Sequence, residues 1–134
     1  MKRKIFLIPF VFSIVMTMWA CIANTQNANT YKFEPSKSSI SGKIVVETFF
    51  DANENNENSF ILKLDQPIKV VADPNDDLNS TTSNVTKVQL TTSSVDFSVY
   101  KNKKVRCTGT FFSAITAHHH TDVLMWVETV QEIK

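Results

Sequence analysis

The stretch KKVRCTGTFF, residues 103–112, has the side-chain pattern that decides the fold. Small or apolar side chains alternate with polar ones, which sets Val105, Cys107, Gly109 and Phe111 against Arg106, Thr108 and Thr110. A period of two residues is typical of a β-strand with one buried and one solvated face. We therefore predict a strand here, with Cys107 as a small buried side chain on its inward face.

Four more segments have the same period, and together they predict an all-β domain. They are residues 40–46, 60–64, 85–92 and 123–130. The last segment is apolar on both sides, because Leu124 and Trp126 oppose Val123, Met125 and Val127, as expected of an enclosed strand. Five strands in a short chain leave exposed edges unless the sheet curls. The pattern thus favours a small, five-stranded, OB-like, partly closed barrel.

Two local features qualify this prediction. The only glycines, Gly42 and Gly109, both fall inside predicted strands, where glycine often marks a bulge or a bend. Residues 94–101 (SVDFSVYK) fit a short helix capped by Ser94. The alternation of Val95, Phe97 and Val99 fits a strand equally well.

The amino terminus predicts export. Three basic residues precede an apolar run that ends near Trp19, the layout of a signal peptide over residues 1–21. Cys21 after Ala20 favours a lipid-anchored envelope protein, whereas cleavage after Ala23 would give a soluble periplasmic or extracellular one. Polar residues 22–36 are predicted to be a flexible tether, and residues 37–134 a single domain.

The charge balance argues against two kinds of partner. The whole chain has 14 Lys and Arg, and removing the three in the signal leaves 11 against 13 Asp and Glu, a net charge near −2. Nucleic acids and anionic membranes attract proteins through a basic patch or stripe. We therefore expect no nucleic acid partner, and membrane contact only through a lipid on Cys21.

All three histidines lie in the segment TAHHHTD, residues 116–122, which we take as the candidate binding site. Its members are Thr116, His118, His119, His120, Thr121 and Asp122. If this segment is extended, His118, His120 and Asp122 project to one side and His119 to the other. That trio could hold zinc or another transition metal. The alternative roles are hydrogen bonding that orders the loop or contacts a ligand, and general acid or base catalysis.

Catalysis is the weakest of these interpretations. Ser113 lacks the sharp, glycine-flanked turn found at many hydrolase nucleophiles, and no carboxylate pair lies in an evident apolar pocket. The sequence therefore favours a non-catalytic protein without a catalytic residue or a cofactor. A bound transition metal is the alternative.

The stretch KKVRCTGTFFSAITAHHHTDVL, residues 103–124, resembles the carboxy-terminal signature of a family of small exported bacterial proteins, classified as a domain of unknown function. That signature runs from Gly-Lys-Lys-Val through Gly-Thr-Leu-Phe to Gly-His-His-His-Thr and an apolar strand. Asn102 and Ala117 replace its glycines, and Phe111 replaces its leucine. The segments GKIVVETFF (42–50) and FILKLDQPIKV (60–70) also resemble the family. The resemblance implies membership and no activity.

Two functions follow as expectations. The first is a non-catalytic envelope module that binds a protein, a glycan or a small ligand through its histidine-lined loop. The second is a metal-binding protein that uses His118, His120 and Asp122.

Overall fold

The computed structural model describes residues 29–134, and nearly all of its regular structure is extended. The predicted signal peptide, both cleavage points, Cys21 and the first part of the tether, residues 22–28, lie outside the described residues. Six strands form, in the order β1 (Thr30–Lys32), β2 (Lys37–Phe50), β3 (Asn56–Val71), β4 (Thr82–Thr91), β5 (Lys104–Ser113) and β6 (Val123–Glu132). A single 3-10 helix, Phe97–Tyr100, lies between β4 and β5.

The six strands form one sheet in the order β1-β3-β2-β5-β6-β4, and β4 also pairs with β3. Strands β2 to β6 therefore make a partly ring-like sheet, and β1 lies on the edge of β3. Most neighbours are antiparallel, whereas β4 pairs with β6, and β1 with β3, in parallel. The all-β, OB-like, partly closed arrangement predicted from the sequence is confirmed, with six strands instead of five.

The inner face of the ring contains the hydrophobic core. The predicted inward side of β5 is confirmed, because Val105, Cys107 and Phe111 have no exposed surface. Burial raises the pKa of the Cys107 thiol to about 12, so this side chain is an inert part of the core.

Strand β6 is enclosed on both faces over only part of its length. Val123, Leu124 and Met125 have no exposed surface, but Trp126 keeps 44% of its surface exposed. The prediction of a strand enclosed on both sides is thus right for Leu124 and wrong for Trp126. The reason is that the segment after β5 folds over the outer face beside Leu124, where it hydrogen-bonds to Gln89, the residue paired with Leu124.

A row of paired residues crosses the outer face of the ring. Strand register aligns Val45 with Ile61, Ile61 with Gln89, Gln89 with Leu124, and Leu124 with Phe112. Residues paired directly across neighbouring strands point to the same face of a sheet. Although they face outwards, Ile61 and Leu124 are fully buried and Gln89 nearly so. A layer outside the ring therefore covers this row.

Residues 30–36 correct the predicted tether. They carry β1, and Phe33 is only 3% exposed and forms a parallel bridge to Phe111. The Tyr31 ring packs edge-on against the Phe111 ring, with 5.8 Å between the centroids. Tyr31 and Phe33 are spaced as on a strand, but polar neighbours hide the pattern. Their burial depends on β3 and β5, which come much later in the chain.

A short helix and a strand were the two structures predicted for residues 94–101, and the segment forms a short helical turn instead of a strand. It contains a single 3-10 turn capped by Asp96, whose carboxylate accepts a hydrogen bond from the Ser98 N–H, so Ser94 is not the cap. Asn102 follows with a φ of 63°, a left-handed conformation that asparagine and glycine adopt most readily. Within residues 29–134, no helix is long and apolar enough to cross a membrane.

Gly109 occupies a register shift between β5 and β6. A Cβ atom built there would collide with the carbonyl oxygen of Trp126 and come within 3.0 Å of the Val127 Cα. Both atoms belong to the backbone and cannot rotate away. Glycine is therefore required at this bulge because the two strands approach closely.

We expect Gly109→Ala to lower the free energy of unfolding by about 2 kcal/mol, because the added methyl group forces the backbones apart. Urea denaturation measures this loss, with Thr110→Ala on the same strand as the control. A loss no larger than that of the control would contradict the close-approach explanation.

Candidate functional site

The three histidines lie in the connection between β5 and β6, residues 114–122, which we call the His loop. Its two ends are joined by a hydrogen bond of 3.1 Å from the Ala114 N–H to the Asp122 carbonyl. A turn inside the loop closes when the His119 N–H donates to the Thr116 carbonyl. The loop is therefore a compact turn rather than the extended segment used in the sequence prediction.

Gln89 of β4 fixes the His loop against the outer face of the ring. Its side-chain Oε1 accepts a hydrogen bond of 2.7 Å from the His120 N–H, and its Nε2 donates to the His118 carbonyl at 3.0 Å. The Gln89 backbone N–H donates to the Thr121 Oγ1, which itself donates to the Val123 carbonyl. Among residues 29–134, no buried side-chain nitrogen or oxygen lacks a partner. Gln89 thus hydrogen-bonds to His118, His120 and Thr121 of the loop.

Glu57 of β3 joins two of the histidines. Its Oε2 lies 2.9 Å from the His118 Nδ1 and 3.1 Å from the His120 Nε2. These three residues form what we call the Glu57 cluster. The exposed fractions of the side chains are 69% for His118, 31% for Glu57 and 8% for His120. The cluster thus has one buried imidazole, one exposed imidazole and a shared carboxylate between them.

The rings of His120 and His119 also contact aromatic side chains. The His120 ring stacks on the Phe49 ring of β2, with centroids 4.3 Å apart and planes nearly parallel at 3°. Phe49 pairs with Glu57 across β2 and β3, so the stacking surface and the carboxylate share one face. His119 turns the other way, with its ring edge-on to Phe112 and its Nδ1 accepting from the Ile115 N–H.

Glu57 and His118 shift each other's pKa values in opposite directions. The hydrogen bond from His118 is the main cause that lowers the pKa of Glu57. The same hydrogen bond, together with the charge of Glu57, raises the pKa of His118. Partial burial lowers the pKa of His119, with smaller effects from the neighbouring histidines. The surroundings therefore favour the protonated form of His118, with its raised pKa, and the neutral form of His119, with its lowered pKa.

The six predicted site residues meet different surroundings. The pair His118 and His120 does converge, but on Glu57 instead of Asp122. Asp122 makes no side-chain hydrogen bond within the described residues, and it lines a groove of about 220 Å³ with His120, Thr121, Lys87 and part of β4. Thr116 accepts from the His118 N–H through its hydroxyl.

Glu57, Gln89 and Phe49 were missed by the sequence analysis. Glu57 lies in the polar run NENNEN and Gln89 on the outward side of a strand, so neither has a distinctive local pattern. Their role depends on pairing between β2, β3 and β4, and on a loop that folds back over those strands. Strand alternation alone could have marked Gln89 only as an outward-facing polar residue.

The described residues contain no group of three or more His, Cys, Asp or Glu side chains placed to hold a metal ion. In the Glu57 cluster, both imidazole nitrogens are directed at one carboxylate oxygen. This arrangement fits hydrogen bonding between N–H groups and a carboxylate.

Residues 87–131 match the family model described as "Domain of unknown function (DUF4431)". The matched segment begins in β4 and ends in β6, so it contains Gln89 and the whole His loop but excludes Glu57. Neither a curated protein nor a solved structure matches the chain at a significant level. The comparisons therefore support the expected domain of unknown function for this part of the chain and supply no activity.

The Glu57–His118 pair makes stability depend on pH. The lowered pKa of Glu57 contributes stability that is present above its ordinary value of 4.5 and is lost as the pH falls through its folded-state value. The raised pKa of His118 contributes stability that is present below its ordinary value of 6.5 and is lost as the pH rises through its folded-state value. The pair thus stabilises the His loop most between these two values.

Glu57→Gln should return the pKa of His118 towards 6.5, because the amide carries no charge and cannot stabilise the imidazolium. Titration of the His118 ring by NMR measures this change. Glu54→Gln, in the same hairpin, is the matched control and should leave the His118 midpoint where it is. If both variants behave alike, Glu57 does not control His118.

Proposed function

We propose that the protein is an exported, non-catalytic module that binds a partner protein through the His loop and the adjacent β2–β3 hairpin. The observation that carries this proposal is the Glu57 cluster. It offers an exposed imidazole and a carboxylate from a loop whose backbone Gln89 already holds in place. A preformed polar group loses little entropy when a partner binds, which favours recognition.

Exposed apolar side chains around the His loop favour a protein as the partner. Five large apolar side chains are exposed among residues 29–134, and three of them lie near the His loop: Phe50 at the end of β2, Leu78 between β3 and β4, and Ile115 in the loop itself. The β3–β4 connection reaches the base of the loop, because Asn79 accepts a hydrogen bond from the Ser113 N–H. Protein interfaces combine apolar contacts with direct hydrogen bonds, and both kinds of group are exposed around the His loop.

The position of the loop agrees with this proposal by analogy of fold. In OB-like folds, ligands bind at the connections between strands one and two and strands four and five. Within the five-strand ring, the β2–β3 hairpin and the His loop occupy those two positions. The analogy concerns only the location of the binding site. The kind of partner is inferred from the exposed side chains.

Export rests on the amino-terminal pattern, with a lipid on Cys21 or cleavage after Ala23 as its two forms. A periplasmic or lipid-anchored protein would meet envelope proteins as its partners. The small ligand and glycan alternatives predict binding that does not depend on Phe50 or Ile115.

The test begins with fractionation of producing cells, in which we expect the protein in the envelope fraction. Crosslinking there should capture one specific protein, and Phe50→Ser/Ile115→Ser should weaken that capture by about tenfold or more. Val99→Ser is the matched control, because Val99 is similarly exposed but lies beyond the opposite end of β5.

Three results would contradict this proposal. They are recovery of the protein from the cytoplasm, equal capture by the double variant, and turnover of a substrate that is lost on substitution of His118 or Asp122. The last result would make the site catalytic.

Metal binding is the second candidate, favoured by the convergence of His118 and His120. Glu57 would replace Asp122 as the oxygen donor, and both imidazoles would exchange a hydrogen bond to the carboxylate for a bond to the ion. Because the cluster is not placed to hold an ion, the His loop would have to shift. The donor set of two imidazoles and one carboxylate suits zinc.

If metal binds, zinc should raise the melting temperature of the untagged protein, and Glu57→Gln should abolish that rise. Elemental analysis gives the stoichiometry, and Glu54→Gln is the control. No stoichiometric metal and no thermal shift with zinc or copper would rule out this candidate.

A further inference from the structure

Four lysines lie side by side on the outer face of the ring, although they are far apart in sequence. The register pairs Lys104 of β5 with Lys43 of β2, Lys43 with Lys63 of β3, and Lys63 with Lys87 of β4. We call these residues the lysine row. Neighbouring strands are about 4.8 Å apart, so the row spans about 14 Å across four strands.

All four side chains are exposed, and their charges are only partly balanced. Glu47 approaches Lys63 at 3.6 Å and Lys87 at 3.1 Å, and Asp65 approaches Lys104 at 3.3 Å. Within residues 29–134, Lys43 has no ion pair. The four lysines and the two acidic residues together have a net charge of +2.

The lysine row works against the stability of the sheet. Like charges on directly opposed residues of neighbouring strands repel each other. The two acidic residues reduce this repulsion, but ion pairs whose lysines are about half exposed contribute little. A row of one sign is explained most simply by a partner with the opposite charge, which would remove the repulsion on binding.

We propose that the lysine row binds a linear anionic polysaccharide laid across the strands. The row crosses the interior of the sheet, where backbone groups already pair with neighbouring strands, so only side chains can make contacts. Lysine supplies a mobile point charge that suits sulfate, phosphate or carboxylate groups at regular intervals. A polymer with repeated charges can therefore meet several lysines at once.

The surroundings of the row disfavour a nucleic acid. Single-stranded nucleic acids bind through a basic groove combined with aromatic side chains on which bases stack. The residues two positions along from the row on β2 and β3 are Ser41, Val45, Ile61 and Asp65. None is aromatic, so these flanking positions provide no platform on which bases could stack.

The row is continuous with the groove beside the His loop, because Lys87 lines that groove together with His120 and Asp122. A polymer following the row would enter the groove at this end. The proposal nevertheless stands apart from partner binding at the His loop, since it depends on different residues. Phe50→Ser/Ile115→Ser should leave polysaccharide binding intact.

The test measures binding of the purified protein to dextran sulfate, with neutral dextran, single-stranded DNA and polyglutamate as comparisons. Lys43→Gln/Lys63→Gln should weaken dextran sulfate binding by about tenfold or more, since each surface lysine contributes about 1 kcal/mol to attraction by an anionic surface. Lys32→Gln/Lys69→Gln is the control, with the same charge change on exposed residues of β1 and β3. Melting temperature should not fall in the row variant, because repulsion is relieved.

Selective binding of dextran sulfate that falls steeply with added salt and is lost only in the row variant would support the proposal. Three results would overturn it: no binding at about 50 mM salt, equal loss in the control variant, or tighter binding of DNA or polyglutamate. If the double variant melts lower, Lys43→Gln is compared with Lys69→Gln, and equal affinity of these two also overturns it.

Discussion

The buried amide of Gln89 is the interaction on which the shape of the site depends. It lies on the outer face of the ring between Ile61 and Leu124. Both the oxygen and the nitrogen of the amide form hydrogen bonds with the backbone of the His loop. An apolar side chain in its place would leave a carbonyl and an N–H without partners, at a cost of about 1–3 kcal/mol each. One polar residue on a strand therefore allows a loop to cover an otherwise exposed apolar face.

Because the His loop folds over the outer face of the ring, distant parts of the chain meet in one candidate site. Glu57 and His118 are separated by 61 residues, yet they share a hydrogen bond because β3 passes beneath the His loop. Phe49 extends the same contact to β2 by stacking on His120. The loop is thus attached to three strands at once, through Phe49, Glu57 and Gln89, while the His118 ring remains exposed.

Local alternation made most of the fold predictable, and its limits explain what was missed. The pattern around Cys107 identifies an inward-facing strand because burial repeats every second residue. Strand β1 escaped prediction because Tyr31 and Phe33 are buried only by pairing with β3 and contact with β5. The histidine run marked the candidate site, but the extended geometry considered for it is wrong, because a turn forms at Thr116. Its carboxylate partner could not be read from the run, since Glu57 comes from another strand.

For charge, as for the strands, the sequence predicts one property and strand pairing decides another. Composition gives a net charge near −2 after the signal, and a sum over residues contains no information about which charges are neighbours. By itself the sequence determined the all-β class, the inward face of β5 and the clustering of all three histidines in one segment, because these depend on short-range periodicity and residue order. Only the tertiary structure decided the partners of the histidines, the burial of Gln89 and the alignment of the four lysines. Each of these depends on the register between strands, which is set by closure of the ring and not by any single segment.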